Sequence, residues 1–129
     1  MKMLHTDLHE IETAAELQKL IAENENVMVC CGRMGPMCLP VYAVMEKLEP
    51  KYPHVAFRDM AFDSPASTVI RGLPETRYFN SLPFTVYYRN GKLVKATSGI
   101  QNKQQIVDIL RGVFAEDSTV PTQAAVAGA

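Results

Sequence analysis

Residues 27–42 read VMVCCGRMGPMCLPVY, and this stretch decides the fold. The run at 27–31 is apolar throughout, without polar alternation, which is typical of a strand buried on both faces of a mainly parallel sheet. Gly32 ends that strand. Pro36 predicts the start of a helix, because the missing N–H of a proline costs nothing at the first helical position. Pro40 then lies inside the predicted helix and should kink it near the first or second turn.

The remaining chain supplies the helices and strands that surround this unit. Apolar residues at helical spacing predict two more helices, one at 11–23 and one after an N-cap at Asn102. A short helix at 65–71 is predicted from the start signal Asp63-Ser64-Pro65. Three more strands are expected, at 54–62, 84–89 and 92–98. Asn90-Gly91 between the last two is a strong hairpin signal. A parallel unit whose sheet is extended by a hairpin predicts an α/β fold, a three-layer sandwich with a central mixed sheet of four or five strands.

Length and charge narrow the class of protein. The 129 residues suit a single domain over 1–115 and a tail at 116–129 that lacks periodicity and is expected to be disordered. Residues 1–10 are expected to be extended or loosely ordered. With 13 basic and 14 acidic residues, the chain offers no electrostatic basis for binding nucleic acid or an anionic membrane. Neither a signal peptide nor an apolar run of ~20 residues is evident, so a cytoplasmic location is expected.

The three cysteines are the main chemical feature of the sequence. An odd and small number of cysteines argues against a secreted fold that is held together by disulfide bonds. It leaves three roles for these residues, namely buried apolar filler, metal ligand and redox-active thiol. Cys31 ends the predicted strand and Cys38 lies in the first turn of the predicted helix, so the two flank the turn. Cys30 should point to the opposite side of the strand from Cys31 and belong to the core. If the chain does chemistry, these residues predict sulfur chemistry at Cys31 and Cys38.

Residues 81–100, SLPFTVYYRNGKLVKATSGI, carry a resemblance to a known family. With the order of elements, this segment resembles the part of the thioredoxin family in which a cis-proline precedes a strand, an Asn-Gly turn follows and a glycine ends the returning strand. Pro74 imitates the local family sequence, but Pro83 is followed at once by the predicted strand and is the better match. The resemblance covers residues 11–115. It implies a thioredoxin-like fold, thiol–disulfide exchange with protein or peptide partners, and no cofactor.

The active-site motif departs from the family pattern. Family members carry C-x-x-C, whereas this chain has Gly35-Pro36-Met37-Cys38. Cys38 thus matches the second, resolving cysteine, and Gly35 stands at the position of the attacking cysteine. The buried acid that many thioredoxins keep under the site would match Val29 or a near neighbour, and it is absent.

The resemblance also implies where a substrate would bind. In the family, the backbone before the cis-proline pairs with an extended peptide, which here assigns Leu82 and Pro83. The turn would contribute Gly35, Pro36 and Met37. We refer to these five residues as the predicted peptide surface. Its expected occupants are protein or peptide thiols and disulfides.

Three functions fit these residues. Cys38 could exchange disulfides, because free N–H groups at a helix start and the nearby Arg33 favour a thiolate. It would act alone or with Cys31, provided that the turn brings the two sulfurs together. A redox-inactive module could instead bind a peptide or partner protein at the predicted peptide surface. A metal or iron–sulfur site formed by Cys31 and Cys38 across a dimer is the third possibility.

Overall fold

The computed structural model describes residues 3–114. Five strands are present: β1 (His9–Ile11), β2 (Asn26–Gly32), β3 (Ala56–Ala61), β4 (Phe84–Arg89) and β5 (Lys92–Ser98). The four α-helices of this region are α1 (Ala14–Glu23), α2 (Leu39–Leu48), α3 (Thr68–Arg71) and α4 (Lys103–Val113). Short 3-10 turns occupy Glu49–Lys51, Pro65–Ser67 and Pro74–Thr76. The predicted tail at 116–129 lies outside the described residues.

The strands form one mixed sheet in the order β1-β3-β2-β4-β5. β1 and β2 run parallel to β3, whereas β4 runs antiparallel to both β2 and β5. β2 is the central strand, and every residue from Asn26 to Gly32 is buried, which explains its uninterrupted apolar run. The α/β sandwich with a mixed sheet that the sequence predicts is therefore confirmed, with five strands.

The two faces of the sheet carry separate cores. Met28 and Cys30 of β2 pack with α2 and α4, on what we call the α2/α4 face. Val27, Val29 and Cys31 pack on the other side with α1 and α3, on the α1/α3 face. This division follows from the geometry of a strand, in which successive side chains point to opposite faces. The prediction that Cys30 and Cys31 point to opposite sides, with Cys30 in the core, is confirmed.

The N-terminal residues are more ordered than the sequence predicts. β1 pairs in parallel with β3, and Leu4 and Leu8 are buried in the core of the α2/α4 face. The N–H groups of Met3 and Leu4 donate to the Glu10 carboxylate at 2.9 and 2.8 Å. These contacts join residues that are distant in the sequence or belong to a strand too short to show a pattern. Local periodicity could not have revealed them.

Helix α2 begins at Leu39, three residues later than predicted. The Leu39 N–H donates to the Gly35 carbonyl at 3.0 Å, which closes a turn, but Pro40 has no N–H to continue the ladder. Regular hydrogen bonding starts with the Tyr42 N–H, which donates to the Cys38 carbonyl at 3.1 Å. Pro40 thus lies in the first turn of α2. Its position inside the helix agrees with the prediction, and the kink expected there stays a prediction.

The other helix ends follow their sequence signals. Thr13 caps α1 by accepting the Glu16 N–H at 3.0 Å, and α1 starts after residue 11 because Ile11 belongs to β1. Asn102 and Gln105 form a reciprocal capping box at the start of α4. Among the residues that the structure describes, no helix is long and apolar enough to cross a membrane.

The segment before β4 is held against the end of β5. The Leu82–Pro83 peptide bond is cis. The Gly99 N–H donates to the carbonyl groups of Ser81 and Pro83, at 3.1 and 3.0 Å. Gly99 has a φ of +85°, a conformation that side chains disfavour, so a glycine suits this position. These bonds fix Pro83 beside the end of β2.

Candidate functional site

Three groups converge on Gly32, where β2 ends. A Cβ atom on this residue would lie 2.7 Å from the Cys38 sulfur, 2.8 Å from the Tyr42 hydroxyl oxygen and 3.1 Å from Cβ of Pro83. All three distances are shorter than ordinary van der Waals contact. Gly32 is therefore required because other parts of the molecule approach its backbone, and it marks the meeting point of the turn, α2 and the cis-proline segment.

The Cys38 thiol is tied to the turn that precedes it. The Arg33 N–H donates to the Cys38 sulfur at 3.4 Å, and the Tyr42 hydroxyl donates to the Arg33 carbonyl at 3.2 Å. The backbone of Arg33 is thus held from both sides by residues of the α2 region. Cys38 itself is only 2% exposed. The thiol sits directly beneath the turn rather than on its surface.

The Arg33 side chain turns away from the thiol. Its guanidinium makes two hydrogen bonds to the Asp63 carboxylate, at 2.9 and 2.8 Å, and lies 5.2 Å from the centre of the Phe62 ring. These hydrogen bonds lower the pKa of Asp63 and raise the pKa of Arg33. Both side chains are about half exposed, so the pair orients the turn more than it stabilises the fold. The direct contact of Arg33 with Cys38 is made by its backbone N–H.

Most of the predicted peptide surface is accessible. Pro36 and Met37 are exposed, Gly35 and Leu82 are partly buried, and Pro83 is buried. Beside them, Met34 and Leu39 also expose apolar side chains, and the Met34 sulfur accepts the His5 N–H at 3.3 Å. The apolar spacing of the helix predicts an inward-facing Leu39, and this is wrong, because the Leu39 side chain is exposed at the start of α2. The exposed side chains of Met34, Pro36, Met37 and Leu39 therefore form an apolar rim above the buried Cys38 thiol.

Cys31 is not brought to the site. It lies on the α1/α3 face, completely buried, whereas Cys38 lies on the α2/α4 face. Burial raises the pKa of Cys31 to about 12. All three cysteines are free thiols. The expectation that the turn brings the sulfurs of Cys31 and Cys38 together is not met, because the backbone of β2 separates them.

Two buried polar groups on the α2/α4 face escaped the sequence analysis as site residues. Cys30 shares this face with Cys38, accepts the Thr85 hydroxyl at 3.9 Å, and has a pKa raised by burial. Asp59 is the neighbour of Cys30 in β3, is fully buried, and accepts the Thr6 hydroxyl at 2.5 Å. The family resemblance points to a buried acid at Val29 or a near neighbour in β2, where this chain has none. The signal lay in β3, where Asp59 follows the core residue Phe57 by two positions and so shares its face.

No cluster in the described part of the chain has the composition of a metal site. Within residues 3–114, no group of three or more His, Cys, Asp and Glu side chains could hold a metal ion. Cys31 and Cys38 lie on opposite faces of the sheet, so they do not form half of a shared ligand set either.

We compared the chain with protein-family models, curated proteins and solved structures. No protein-family model matches the chain, and no curated protein does so at a significant level. Solved structures do. A thioredoxin from Plasmodium falciparum has a TM-score of 0.68 at 22% identity, over 82% of this chain and 99% of its own. Mitochondrial thioredoxin 3 from Saccharomyces cerevisiae gives 0.68 at 21% identity, over 82% and 95%.

A more divergent match extends the comparison. Thioredoxin O2 from Arabidopsis thaliana has a TM-score of 0.67 at only 12% identity, over 88% of this chain and 99% of its own. At these identities the likeness concerns the fold. The order of helices and strands, the mixed five-stranded sheet and these matches agree. The chain has a thioredoxin-like fold.

Proposed function

We propose that the protein exchanges disulfides with protein or peptide partners through Cys38, as a divergent thioredoxin-fold protein of thiol redox balance. The observation that carries this proposal is the position of the Cys38 sulfur. It lies against Gly32 and near Pro83, and it accepts a backbone N–H from Arg33 at 3.4 Å. Cys30 and Cys31 lie within β2 and are completely buried. Cys38 is the one thiol that adjoins the predicted peptide surface.

Recognition would use the apolar rim. Met37 is 43% exposed and Met34 39% exposed, and flexible thioether side chains adapt to varied apolar partners. An extended partner segment could lie between this rim and Leu82. Its disulfide would then approach Cys38 from the side of Gly35, where a side chain would meet no atom within 4 Å. The open space at Gly35 leaves room for a partner sulfur beside the turn that covers the buried thiol.

The chemistry follows from a single thiol at the site. The Cys38 thiolate attacks one sulfur of the partner disulfide and forms a mixed disulfide, while the other sulfur leaves as a thiolate and takes up the proton that Cys38 has lost. The Arg33 N–H is placed to stabilise the anionic sulfur. Because Cys38 is 2% exposed, the turn must open for this attack. We therefore expect slower disulfide exchange than a variant with an exposed cysteine in place of Gly35 would show.

A second candidate is a redox-inactive binding module. It is favoured by the burial of Cys38 together with the exposure of Met34, Met37 and Leu39. In this case the apolar rim binds a partner segment, and Cys38 serves only as a core residue. The two candidates share a surface and differ in whether the thiol reacts.

Reduction of insulin disulfides, with dithiothreitol as electron donor, separates them. The proposal expects turnover by the wild type, loss of turnover in Cys38→Ser, and turnover in Cys31→Ala, the matched control on the opposite face. No turnover by the wild type, or equal turnover by Cys38→Ser, contradicts exchange. Binding of the reduced and alkylated insulin B chain, weakened by Met37→Glu, would then support the binding module.

A further inference from the structure

A second thiol shares the α2/α4 face with Cys38. Cys30 and Gly32 are two positions apart in β2, so they occupy consecutive places on the same face, about 6.6 Å apart along the strand. The Cys38 sulfur fills the space that a Gly32 side chain would take. The sulfur of Cys38 therefore lies one side-chain position along the strand from Cys30, with no side chain of β2 between them.

The neighbouring cysteine is excluded by the same geometry. Cys31 belongs to the core of the α1/α3 face, whereas Cys30 and Cys38 both belong to the core of the α2/α4 face. Any bond from Cys31 to Cys38 would have to pass the backbone of β2. Two adjacent cysteines thus differ in the one property that decides pairing, the face to which each side chain points.

We propose that Cys30, and not Cys31, is the thiol that closes an intramolecular disulfide with Cys38. The inference rests on the proposed reactivity of Cys38 and supplies the second thiol that Gly35 does not provide. The pair would let the protein complete an exchange without a second protein molecule.

The reaction balances with a low-molecular-weight disulfide as oxidant. Cys38 attacks glutathione disulfide, forms a mixed disulfide and releases one glutathione thiolate, which takes up the Cys38 proton. Cys30 then attacks the Cys38 sulfur, and the second glutathione leaves with the Cys30 proton. Two protein thiols are oxidised to one disulfide, and one glutathione disulfide is reduced to two thiols.

The turn is the part that must move. A disulfide needs Cα atoms within ~7 Å and facing Cβ atoms. Cys38 precedes the first regular turn of α2, and its N–H bonds only to Gly35 within the turn. A shift of Cys38 would break the bonds that its carbonyl accepts from the N–H groups of Val41 and Tyr42, at the start of α2, and would leave the later bonds of the helix in place. Cys30 would give up only its 3.9 Å contact with Thr85.

The test treats the full chain with glutathione disulfide and follows free thiols and intact mass. The key variant is Cys31→Ala, because it leaves Cys30 and Cys38 as the only cysteines. We expect this variant to lose both remaining thiols as a monomer whose mass falls by two hydrogens. Wild-type protein should lose two thiols and keep one. Cys30→Ala should stop at a mixed disulfide on Cys38.

Two results would overturn the inference in distinguishable ways. If Cys31→Ala stops at a stable glutathione adduct on Cys38, the exchange reaction stands but Cys30 does not resolve it. If no thiol of the folded wild type reacts, the proposed function and the inference both fail. The mass of the oxidised Cys31→Ala variant shows whether Cys30 and Cys38 form a disulfide, even if the Cys30→Ala variant does not fold.

Discussion

The Cys38 sulfur occupies the space that a side chain on Gly32 would need, 2.7 Å from where its Cβ would stand. The Tyr42 hydroxyl and Pro83 crowd the same point, at 2.8 and 3.1 Å. One glycine thus lets the thiol, the first turn of α2 and the cis-proline segment meet. The arrangement of the site depends on this contact more than on any charge.

Gly32→Ala should therefore destabilise the protein. The added methyl group must displace Cys38 or Tyr42 in a packed interior, and we expect the free energy of unfolding to fall by about 1–3 kcal/mol. Urea denaturation measures the change. Gly112→Ala is the control, since a Cβ there meets no atom within 4 Å. It lies in α4 and should raise stability by up to about 1 kcal/mol. Equal effects of the two variants would contradict the crowding at Gly32.

Gly35→Cys should convert the site into an efficient reductase. A Cβ at Gly35 meets no other atom within 4 Å, so a thiol fits there, three residues before Cys38 as in C-x-x-C. We expect insulin reduction to rise by roughly an order of magnitude or more, because the attacking thiol becomes accessible. Gly35→Ser has a similar size without a thiol and should show no gain. A folded Gly35→Cys protein without increased turnover would show that the turn does not hold sulfur as assumed.

Two tyrosine-to-phenylalanine substitutions should act in opposite directions. The Tyr42 hydroxyl donates to the Arg33 carbonyl, whereas the buried Tyr87 hydroxyl has no hydrogen-bond partner among the described residues. Tyr42→Phe should lower the free energy of unfolding by about 1 kcal/mol, and Tyr87→Phe should leave it unchanged or raise it slightly. Thermal or urea unfolding compares them. A larger loss in Tyr87→Phe than in Tyr42→Phe would be inconsistent with these contacts.

The pair between Arg33 and Asp63 should appear in a titration. Arg33 holds the pKa of Asp63 below its ordinary value of 3.8. A carboxyl whose pKa is depressed on folding stabilises the protein above the unfolded value, and this contribution is lost as the pH falls through the folded value. Arg33→Gln should raise the Asp63 pKa towards 3.8, measured by NMR of the carboxyl carbon. Arg111→Gln, on the surface of α4, should not change it. An Asp63 pKa that is the same in both variants would count against the pair.

The sequence predicted the fold because its strongest patterns are local. The apolar run of β2 indicated a central strand, and Asn90-Gly91 indicated the hairpin between β4 and β5. Pro83, directly before β4, indicated the segment that meets the turn. Each of these features lies within a short stretch of the sequence, so it can be recognised from the residue types and their order in that stretch.

The details of the site depended on contacts that no local pattern carries. Strand alternation separated Cys30 from Cys31, but nothing in the sequence told on which face α2 would pack. For that reason the spacing of Cys31 and Cys38 alone could not show that their side chains belong to opposite faces of the sheet. The sequence did not indicate Asp59, because its hydrogen-bond partner Thr6 comes from the N-terminal segment, 53 residues away in the sequence. The late start of α2 depended on a missing N–H at Pro40, whose consequence appears only in the hydrogen-bond ladder.

Alkylation of the native protein tests the central claim, that Cys38 is the reactive thiol, most directly. Iodoacetamide labelling at pH 8, followed by peptide mass spectrometry, gives the rate at each cysteine. Burial raises the pKa of Cys31 to about 12 and raises that of Cys30 as well, so both should stay unlabelled in the folded state. Cys38 should react first, and faster than global unfolding allows. Labelling of Cys30 or Cys31 at the rate of Cys38, or labelling of Cys38 only when the chain unfolds, would contradict it.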